Sequence, residues 1–516
     1  MSQQTREKRE SGLDRRNFLG SGLAGIGVLV PGISFAQEGT VPPAQQGSRR
    51  RVGSSLPSPS SPSMSRQLAR WVAGLRYQDL PPTVVDRAKG MTLQAIASAL
   101  LGSQTPGGKA AISLVTEEES AQRNGATVMV NGAKVTKGAA GFANAEMAYA
   151  GGKWDTFRML MHCGVTIIPT ALVAAETTEG VTGNDFLTGV VAGYEVMQRL
   201  AADFVAQVMS RGFHPSPVFG IFGAAVAAGK IMRFTEDEVN ELIGLCVNLA
   251  GGNVESRTLR EGPAARNALL AVLLAKQGHR GGETALEGNA GFYTAYVGNN
   301  LGQLTYSFTG ETEANLPKIT ANLGKDWMFL ETLYRIYSIP GFNIAHVDVT
   351  AKLCEEHNIK YQDVDHIEAV VNWFETQYPS PAFAPPPEPG APVARGAQQY
   401  YTAYGVVKRG FPLLSGTPDP PEVLELMKRV TIIPSHTMTL FGPRITIFTK
   451  DGKSYTKQST GREFMWDFTE ETRRIRGVIP GLPIPAAQFE EIIATCRDLD
   501  GQGQPAKLVQ LTVKKA

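Results

Sequence analysis

Residues 65–335 carry one helical pattern after another, and the small side chains in two of these segments constrain the fold most strongly. Residues 219–230 and 262–276 are crowded with Gly and Ala, and their apolar residues recur at helical intervals. Small side chains let helix backbones approach closely, and a helix that is apolar on all sides is usually buried. We therefore predict that both segments lie inside a bundle of helices.

The composition changes between about residues 336 and 462, where strand patterns appear. Residues 366–375 alternate between polar and apolar, and residues 444–456 have a hairpin pattern around Asp451 and Gly452, a dipeptide favoured in two-residue turns. Two helical patterns intervene, at residues 347–357 and 398–408. The predicted fold is mainly α, with a large all-helical bundle domain and an inserted α+β lid domain.

The N-terminus has the pattern of an export signal. Arg15 and Arg16 precede an apolar stretch at residues 18–30, which is too short to span a bilayer as a mature helix. Small residues up to Ala36 offer a cleavage site, and the twin arginine resembles a Tat signal. We expect a periplasmic or secreted protein with no stable membrane insertion after cleavage, and an uncleaved anchor is the alternative.

These changes along the chain predict five segments. They are a Tat-type signal peptide at residues 1–36, a disordered Pro/Ser-rich linker at 37–64, the first part of the helical domain at 65–335, the lid domain at 336–462, and the return to the helical domain with a C-terminal tail at 463–516. The linker is poor in apolar residues and cannot offset the entropy lost on ordering.

Composition and absent motifs exclude several classes of function. The chain has 50 basic and 48 acidic residues, a net charge of +2, so nothing attracts nucleic acid as a partner. Its four cysteines are far apart, which argues against a zinc site and predicts free, mostly buried thiols. The usual nucleotide, hydrolase and zincin motifs are absent from the sequence. We therefore expect no metal and no cofactor.

Three segments place histidine or cationic residues beside Gly and Pro at predicted helix edges, namely residues 154–162, 212–215 and 256–266. Each segment alone has a purely structural interpretation. His162 could be a satisfied core histidine, His214 could cap a helix, and the arginines of the third segment could form a solvated face. Histidine also suits proton transfer, because its ordinary pKa lies near neutrality.

Taken together, the order and spacing of these segments resemble the MmgE/PrpD family, whose members include 2-methylcitrate dehydratase and cis-aconitate decarboxylase. The matching positions are residues 144–145, Asp155, Thr156, His162, residues 212–215, Arg257, residues 259–265 and residues 286–292. The resemblance extends from about Ser65 to about Leu499. It covers nearly the whole chain after the expected signal and linker.

This resemblance implies a helical domain with an α+β lid, usually in a homodimer, and an active site in the cleft between the domains. The implied chemistry needs no metal: a base removes a proton next to a carboxylate, cations hold the carboxylates, and an acid assists the leaving group. We assign catalytic roles to His162, His214 and Tyr401. The expected substrate-binding residues are Asp155, Thr156, Arg257, Tyr337 and His346.

The sequence also departs from the family signatures. Gly152 and Trp154 stand where the first signature has Asp, and Tyr149 stands where it has His, so a carboxylate base is missing. Arg257 and Tyr337 stand where lysine is common. Arginine keeps the positive charge but does not readily give up a proton.

Three functions are compatible with these residues. The leading interpretation is a lyase, either a hydro-lyase or a decarboxylase, that acts on a small di- or tricarboxylate. The second is an isomerase or epimerase on a related dicarboxylate or amino-dicarboxylate, which needs two acid/base groups but no leaving group. The third is an exported carboxylate-binding protein that has lost catalysis. A small polycarboxylate is the expected partner in all three.

Overall fold

The computed structural model of the chain describes residues 62–121, 123–256, 259–298, 315–337, 339–377, 397–411, 419–501 and 503–514. The expected signal peptide, nearly all of the expected linker and Arg257 lie outside these ranges. The described residues from 62 onward form one compact unit. Their regular structure is mainly helical, with a four-stranded sheet and a two-stranded ribbon.

The first part of the chain is helical, as predicted. Its helices are α1 (Met64–Gly74), α2 (Pro82–Gly102), α3 (Pro106–Glu118), α4 (Lys137–Ala150), α5 (Gly164–Glu176), α6 (Gly183–Ala201), α7 (Val205–Ser210), α8 (Pro215–Ile231), α9 (Glu236–Leu249), α10 (Glu261–Lys276) and α11 (Phe292–Val297). Two short strands, β1 (Ala126–Thr127) and β2 (Lys134–Val135), pair antiparallel between α3 and α4.

The segment at residues 219–230 is almost entirely buried, as predicted, because it belongs to α8 at the centre of the bundle. α8 packs against α5, α6 and α10. Gly193 of α6 faces Gly223 of α8 so closely that a Cβ atom added to Gly193 would lie 2.5 Å from the Gly223 carbonyl oxygen. Small residues are therefore required where these two helices cross.

The prediction that residues 262–276 are enclosed on all sides is wrong. This segment forms most of α10, which packs one face against α4, α8 and α9. On its other face Leu270 is 44% exposed and Leu273 is 37% exposed. The sequence pattern did not reveal this, because the outer face is also apolar.

The second part of the chain forms a mixed sheet with helices beside it. Its elements are α12 (Ile344–Glu356), β3 (Val364–Asn372), α13 (Gln398–Lys408), α14 (Pro421–Leu426), β4 (Val430–Ser435), β5 (Arg444–Thr449), β6 (Ser454–Gln458), α15 (Phe468–Ile475), α16 (Ala486–Arg497) and α17 (Pro505–Thr512). The strand order is β4-β3-β5-β6. β3 is parallel to β4 and antiparallel to β5.

The predicted hairpin is confirmed as β5 and β6, with Gly452 at the turn in a left-handed conformation at φ +82°. The helix expected at residues 398–408 is α13. β4 was not predicted, because it contains Pro434 and lacks a clear alternating pattern. The sheet and its helices share an apolar cluster of their own, while the expected domain boundaries at residues 335 and 462 stay predictions.

The C-terminal helices α15 and α16 pack against α2, and α17 packs against α5. The four cysteines are buried and free, which confirms the prediction made for them. Within the described ranges, every helix is too short or too polar to cross a bilayer.

Candidate active site

The loop at residues 151–163, between α4 and α5, is organised around the carboxyl group of Asp155. The backbone N–H of Gly164 donates to both carboxyl oxygens, at 3.1 and 2.9 Å, and the Tyr194 hydroxyl donates to one of them at 2.7 Å. Asp155 is only 3% exposed, and its burial raises the pKa of the carboxyl group to about 7. Asp155 therefore fixes the loop to the start of α5 and to α6.

His162 is held by the same loop in a defined tautomer. Its Nδ1 atom lies 2.9 Å from the carbonyl oxygen of Asp155. Because a carbonyl oxygen can only accept, Nδ1 carries the hydrogen and Nε2 of the neutral ring carries the lone pair. Burial, together with the nearby cations Arg335 and Arg260, lowers the pKa of His162 to about 3. The imidazole is consequently neutral at pH 7.

Trp154 is the centre of an aromatic stack beside His162. Its ring lies 4.7 Å from the ring of Tyr149 and 4.6 Å from that of His162, measured between centroids. The guanidinium carbon of Arg335 lies 4.6 Å from the same indole, within the range of a cation–π interaction. Where the family signature has a carboxylate, this chain has an aromatic ring that holds a cation.

His214 is the N-cap residue of α8, but its side chain does not cap the helix. The side chain is only 5% exposed, and its Nδ1 atom makes no hydrogen bond to the described residues. Burial lowers the pKa of His214, and the proximity of Arg260 and His162 lowers it further. The backbone N–H of His162 also donates to the Ser216 hydroxyl at 3.2 Å, two residues after His214, so the two histidines lie in neighbouring segments and Arg260 lowers the pKa of both.

The segment before α10 supplies a cation and a buried acid. Arg260 is half-buried, and one of its terminal nitrogens donates to the carbonyl of Val254 at 3.4 Å. Glu261 is fully buried, accepts from the Thr166 hydroxyl at 2.9 Å, and has one carboxyl oxygen without a partner among the described residues. Burial raises the pKa of Glu261 to about 7.

The interpretation of the arginines at residues 256–266 as a solvated helix face is therefore correct for only part of that segment. Arg266 is exposed and pairs with Glu119 at 2.5 Å on the surface. Arg260 instead affects the pKa of both imidazoles. Arg257, the cation expected to bind a substrate carboxylate, falls outside the described residues.

Thr156 lies on the side of the loop that faces residues 332–345. Its backbone N–H and carbonyl pair with Leu333, at 3.0 and 2.9 Å. Its hydroxyl is buried and makes no hydrogen bond to the described residues. Thr156 lines a narrow cavity with Arg335 and several apolar side chains.

The remaining expected site residues belong to other contacts. The Tyr337 hydroxyl accepts from Arg474 at 2.6 Å, and its ring stacks 3.9 Å from that of Phe411. His346 is fully buried in α12, with Nδ1 2.8 Å from the Thr402 hydroxyl oxygen and Nε2 unpartnered among the described residues. Its burial lowers its pKa to about 3.

Tyr401 precedes Thr402 on α13 and is partly buried. Its ring meets that of Tyr400 edge-on, 5.0 Å away between centroids. The structure therefore groups Asp155, Thr156, His162 and His214 around one loop. It joins His346 to the helix that carries Tyr401, and it pairs Tyr337 with Arg474.

Sequence reasoning missed three charged residues in this part of the structure. Lys153 is 2% exposed, and burial together with Arg335 lowers its pKa to about 8. Arg335 and Glu261 are the other two. A usable signal existed for Arg335, because it lies two positions before Tyr337, where the family commonly has lysine. Glu261 was not selected, because it lies in a segment whose charged residues looked like a solvated helix face.

In the described ranges, no group of three His, Cys, Asp or Glu side chains is arranged to hold a metal ion. The charged groups that lower the pKa of His162 are instead the cations Arg335 and Arg260. Such an arrangement can attract a carboxylate and stabilise negative charge that develops on it.

The helical part of the chain matches a known family. Residues 66–304 match the MmgE/PrpD N-terminal domain, which confirms the resemblance over these residues. These residues are therefore similar to an MmgE/PrpD N-terminal domain, and the two histidines and Asp155 lie within the matched range.

Similar proteins of known name are cis-aconitate decarboxylases or are named as like them. The chain is 27% identical over 308 residues to the cis-aconitate decarboxylase-like protein oryM of Aspergillus oryzae, spanning 56% of this chain and 61% of that protein, which is less than two thirds of its length. It is 25% identical over 426 residues to a cis-aconitate decarboxylase of Aspergillus terreus, covering 76% and 84% of the two chains. The cis-aconitate decarboxylase of Mus musculus is 24% identical over 423 residues, covering 77% and 82%. These similarities are consistent with a carboxylate lyase.

Proposed function

We propose that this protein is a lyase, a hydro-lyase or decarboxylase, that acts on a small di- or tricarboxylate by removing a proton next to a carboxylate, without a metal or nucleotide. The observation that carries this proposal is that two buried imidazoles, His162 and His214, lie in neighbouring segments joined by the hydrogen bond from the His162 N–H to the Ser216 hydroxyl, with Arg260 close enough to lower the pKa of both. A site that only binds anions needs cations and no neutral bases. Two buried neutral imidazoles suit proton transfer.

His162 is the proposed base, because its Nε2 carries the lone pair when Nδ1 donates to the Asp155 carbonyl. A base with a pKa of about 3 is weak in the free protein. An arriving carboxylate favours the imidazolium form and raises the pKa of His162. Substrate binding would thus strengthen the base at the moment when it is needed.

His214 is the proposed partner acid, and the bonds changed differ between the two lyase reactions. In dehydration His162 takes the C–H proton, the C–H electron pair becomes the new double bond, and the departing hydroxide takes a proton from the imidazolium form of His214, which an arriving carboxylate favours, to leave as water. In decarboxylation the C–C bond to a carboxylate breaks, CO₂ leaves with the bond electrons left on carbon, and that carbon takes the proton of the His214 imidazolium. Arg260 would stabilise the enolate-like charge in either case.

The other site residues have proposed supporting roles. Asp155 positions His162, because both its carboxyl oxygens are already engaged by Gly164 and Tyr194. Thr156 would contact substrate through its hydroxyl. We keep Tyr401 as a catalytic residue and Arg257, Tyr337 and His346 as substrate-binding residues in the proposal.

Isotope exchange tests the reaction. The purified protein is incubated with a panel of di- and tricarboxylates in deuterated water and followed by NMR. Uptake of deuterium with loss of water or CO₂ supports a lyase, whereas uptake with an intact skeleton supports the isomerase or epimerase. Thermal stabilisation by a carboxylate without any exchange would instead favour the binding protein.

Three Asn variants assign the proton transfer. His162→Asn keeps a side-chain donor for the Asp155 carbonyl but removes Nε2, and His214→Asn removes the second imidazole. Each should slow exchange by about 10²–10⁴-fold, the usual contribution of acid–base catalysis. His366→Asn is the matched control, because His366 lies partly exposed on β3 and stacks on Phe448. An undiminished rate in His162→Asn would remove this residue from the mechanism.

We also propose that residues 1–36 direct export through a Tat-type route and that the mature protein is a homodimer. Changing Arg15 and Arg16 together to Lys should retain the protein in the cytoplasm, and normal secretion of that variant would contradict the assignment. Light scattering on the purified mature chain measures its mass in solution. A monomeric mass would contradict the homodimer.

A further inference from the structure

Three helices that pack against one another, α5, α8 and α10, each begin at a residue of the candidate site. α5 begins two residues after His162, α8 directly after His214, and α10 directly after Arg260. None of these three helices receives a hydrogen bond from the side chain of its own N-cap residue within the described ranges. Whatever holds the three starts together therefore also sets the relative position of the two imidazoles.

The carboxyl group of Glu261, the first residue of α10, contacts the starts of both other helices. The Thr166 hydroxyl donates to its Oε2 atom at 2.9 Å, and Thr166 lies in the first turn of α5, four residues after His162. The Ser216 hydroxyl also hydrogen-bonds to this carboxyl group, and Ser216 lies in the first turn of α8, two residues after His214. One buried side chain thus joins the two helices that follow the histidines.

The Ser216 hydroxyl connects the same carboxyl group to the backbone of His162. Its oxygen accepts from the His162 N–H at 3.2 Å. A hydroxyl that accepts one hydrogen bond still has its own hydrogen to donate, and here that hydrogen is available to Glu261. Two successive hydrogen bonds therefore lead from α10 to the loop that carries His162.

This position is an unfavourable one for a carboxyl group. Glu261 is fully buried, and its Oε1 atom has no hydrogen-bond partner among the described residues. Burial raises its pKa to about 7, against the opposing effect of the hydrogen bonds from Thr166 and Ser216. An unpaired polar atom in the interior costs stability that an apolar side chain would avoid, and groups perturbed in this way concentrate at functional sites. The carboxyl group therefore suggests a role beyond packing.

We propose that Glu261 is a positioning residue for the proposed reaction: through Thr166 and Ser216 it holds the starts of α5 and α8 together, and it thereby sets the distance between the imidazoles of His162 and His214. This inference rests on the proposed function and adds a residue to its machinery. Glu261 acts through other residues and transfers no proton to the substrate itself.

Substitutions along this path test the proposal. Ser216→Ala removes the bridging hydroxyl and Glu261→Leu removes the acceptor. Both should lower kcat in the deuterium-exchange assay by about 10–100-fold, because a displacement of about 1 Å can cost about 100-fold. KM should stay the same, because the cations proposed to hold the substrate are retained. Glu261→Gln keeps an oxygen that accepts from both hydroxyls, and its kcat should be close to that of the wild type.

Thr170→Val is the matched control. Thr170 is also a buried hydroxyl residue of α5, but it donates to the Thr166 carbonyl rather than to Glu261, so this variant should keep the wild-type kcat. All rates are measured at a temperature at which near-UV circular dichroism shows each variant to be folded. A wild-type kcat in Ser216→Ala would contradict the proposal. A Glu261→Gln rate as low as that of Glu261→Leu would also overturn it, because the carboxyl proton or charge would then be required rather than the acceptor.

The imidazole signals provide a readout that does not depend on turnover. Nitrogen NMR of isotope-labelled histidine records the rings of His162 and His214, and the Asn variants of both assign the signals. Both signals should shift in Ser216→Ala and Glu261→Leu, return towards the wild-type positions in Glu261→Gln, and stay in place in Thr170→Val. If no compound exchanges, the proposed lyase function fails, and these signals then decide the positioning role alone. Unchanged signals in Ser216→Ala and Glu261→Leu would refute it.

Discussion

Replacement of Asp155 by Asn should change how the stability of the protein depends on pH. The ordinary pKa of this carboxyl group is 3.8, and burial raises it to about 7 in the folded protein. Between these values the unfolded chain has released the proton while the folded protein still holds it, so the free energy of unfolding falls as pH rises. At about 1.36 kcal/mol per pH unit, the interval corresponds to a loss of about 4 kcal/mol by neutral pH.

Asn is close to isosteric with the protonated acid and does not ionise, so Asp155→Asn lacks this loss. Its free energy of unfolding, relative to the wild type, should improve by about 4 kcal/mol between about pH 4 and pH 8. Urea unfolding at several pH values measures the difference, and the other titrating groups cancel between the two proteins.

Tyr194→Phe is a second variant, and it should change the pH dependence of stability in the opposite direction to Asp155→Asn. The Tyr194 hydroxyl bond lowers the pKa of Asp155, so its removal should extend the loss of stability above pH 7. A stability difference between Asp155→Asn and the wild type that does not depend on pH would refute the reasoning, because it would mean that Asp155 ionises normally in the fold.

Two further predictions concern the aromatic and cationic groups of the site. Trp154→Leu removes the ring between Tyr149 and Arg335 and should lower the free energy of unfolding by about 2–3 kcal/mol, the sum of the lost aromatic and cation–π contacts. Urea unfolding measures this difference. A loss below about 0.5 kcal/mol would show that the stack contributes little. Tyr337→Phe removes the hydroxyl that accepts from Arg474 and should cost about 1 kcal/mol of stability, and a large rise in KM in the exchange assay would show that the same hydroxyl also binds substrate.

Much of the fold could be predicted from local sequence patterns. The small residues of α8 predicted its burial, and the Asp451-Gly452 turn predicted the β5–β6 hairpin. Both are local signals, in which neighbouring residues determine the result. The exposed face of α10 and the strand β4 were not predicted, because they depend on which distant elements pack nearby.

The candidate site shows the same limit. His162, His214 and Asp155 could be selected because each belongs to a recognisable run of residues. Arg335 lies far along the chain from Trp154, and nothing in its own neighbourhood indicates that its guanidinium meets that indole. Glu261 is hidden for a related reason: the sequence shows a charge, but only the packing of Thr166 against it shows that the charge is buried.

The contact between Trp154 and Arg335 gives a physical reason why two departures from the family signatures are compatible with the carboxylate binding that we propose. A carboxylate at position 154 would form an ion pair with Arg335 and neutralise the charge that the proposed substrate would need. An indole holds the same guanidinium through its ring face without neutralising it. Tyr337 replaces a lysine and pairs with Arg474, while Arg335 supplies a cation two positions earlier. The loss of acid at 154 and the loss of lysine at 337 therefore offset each other, and the site keeps a cation next to His162.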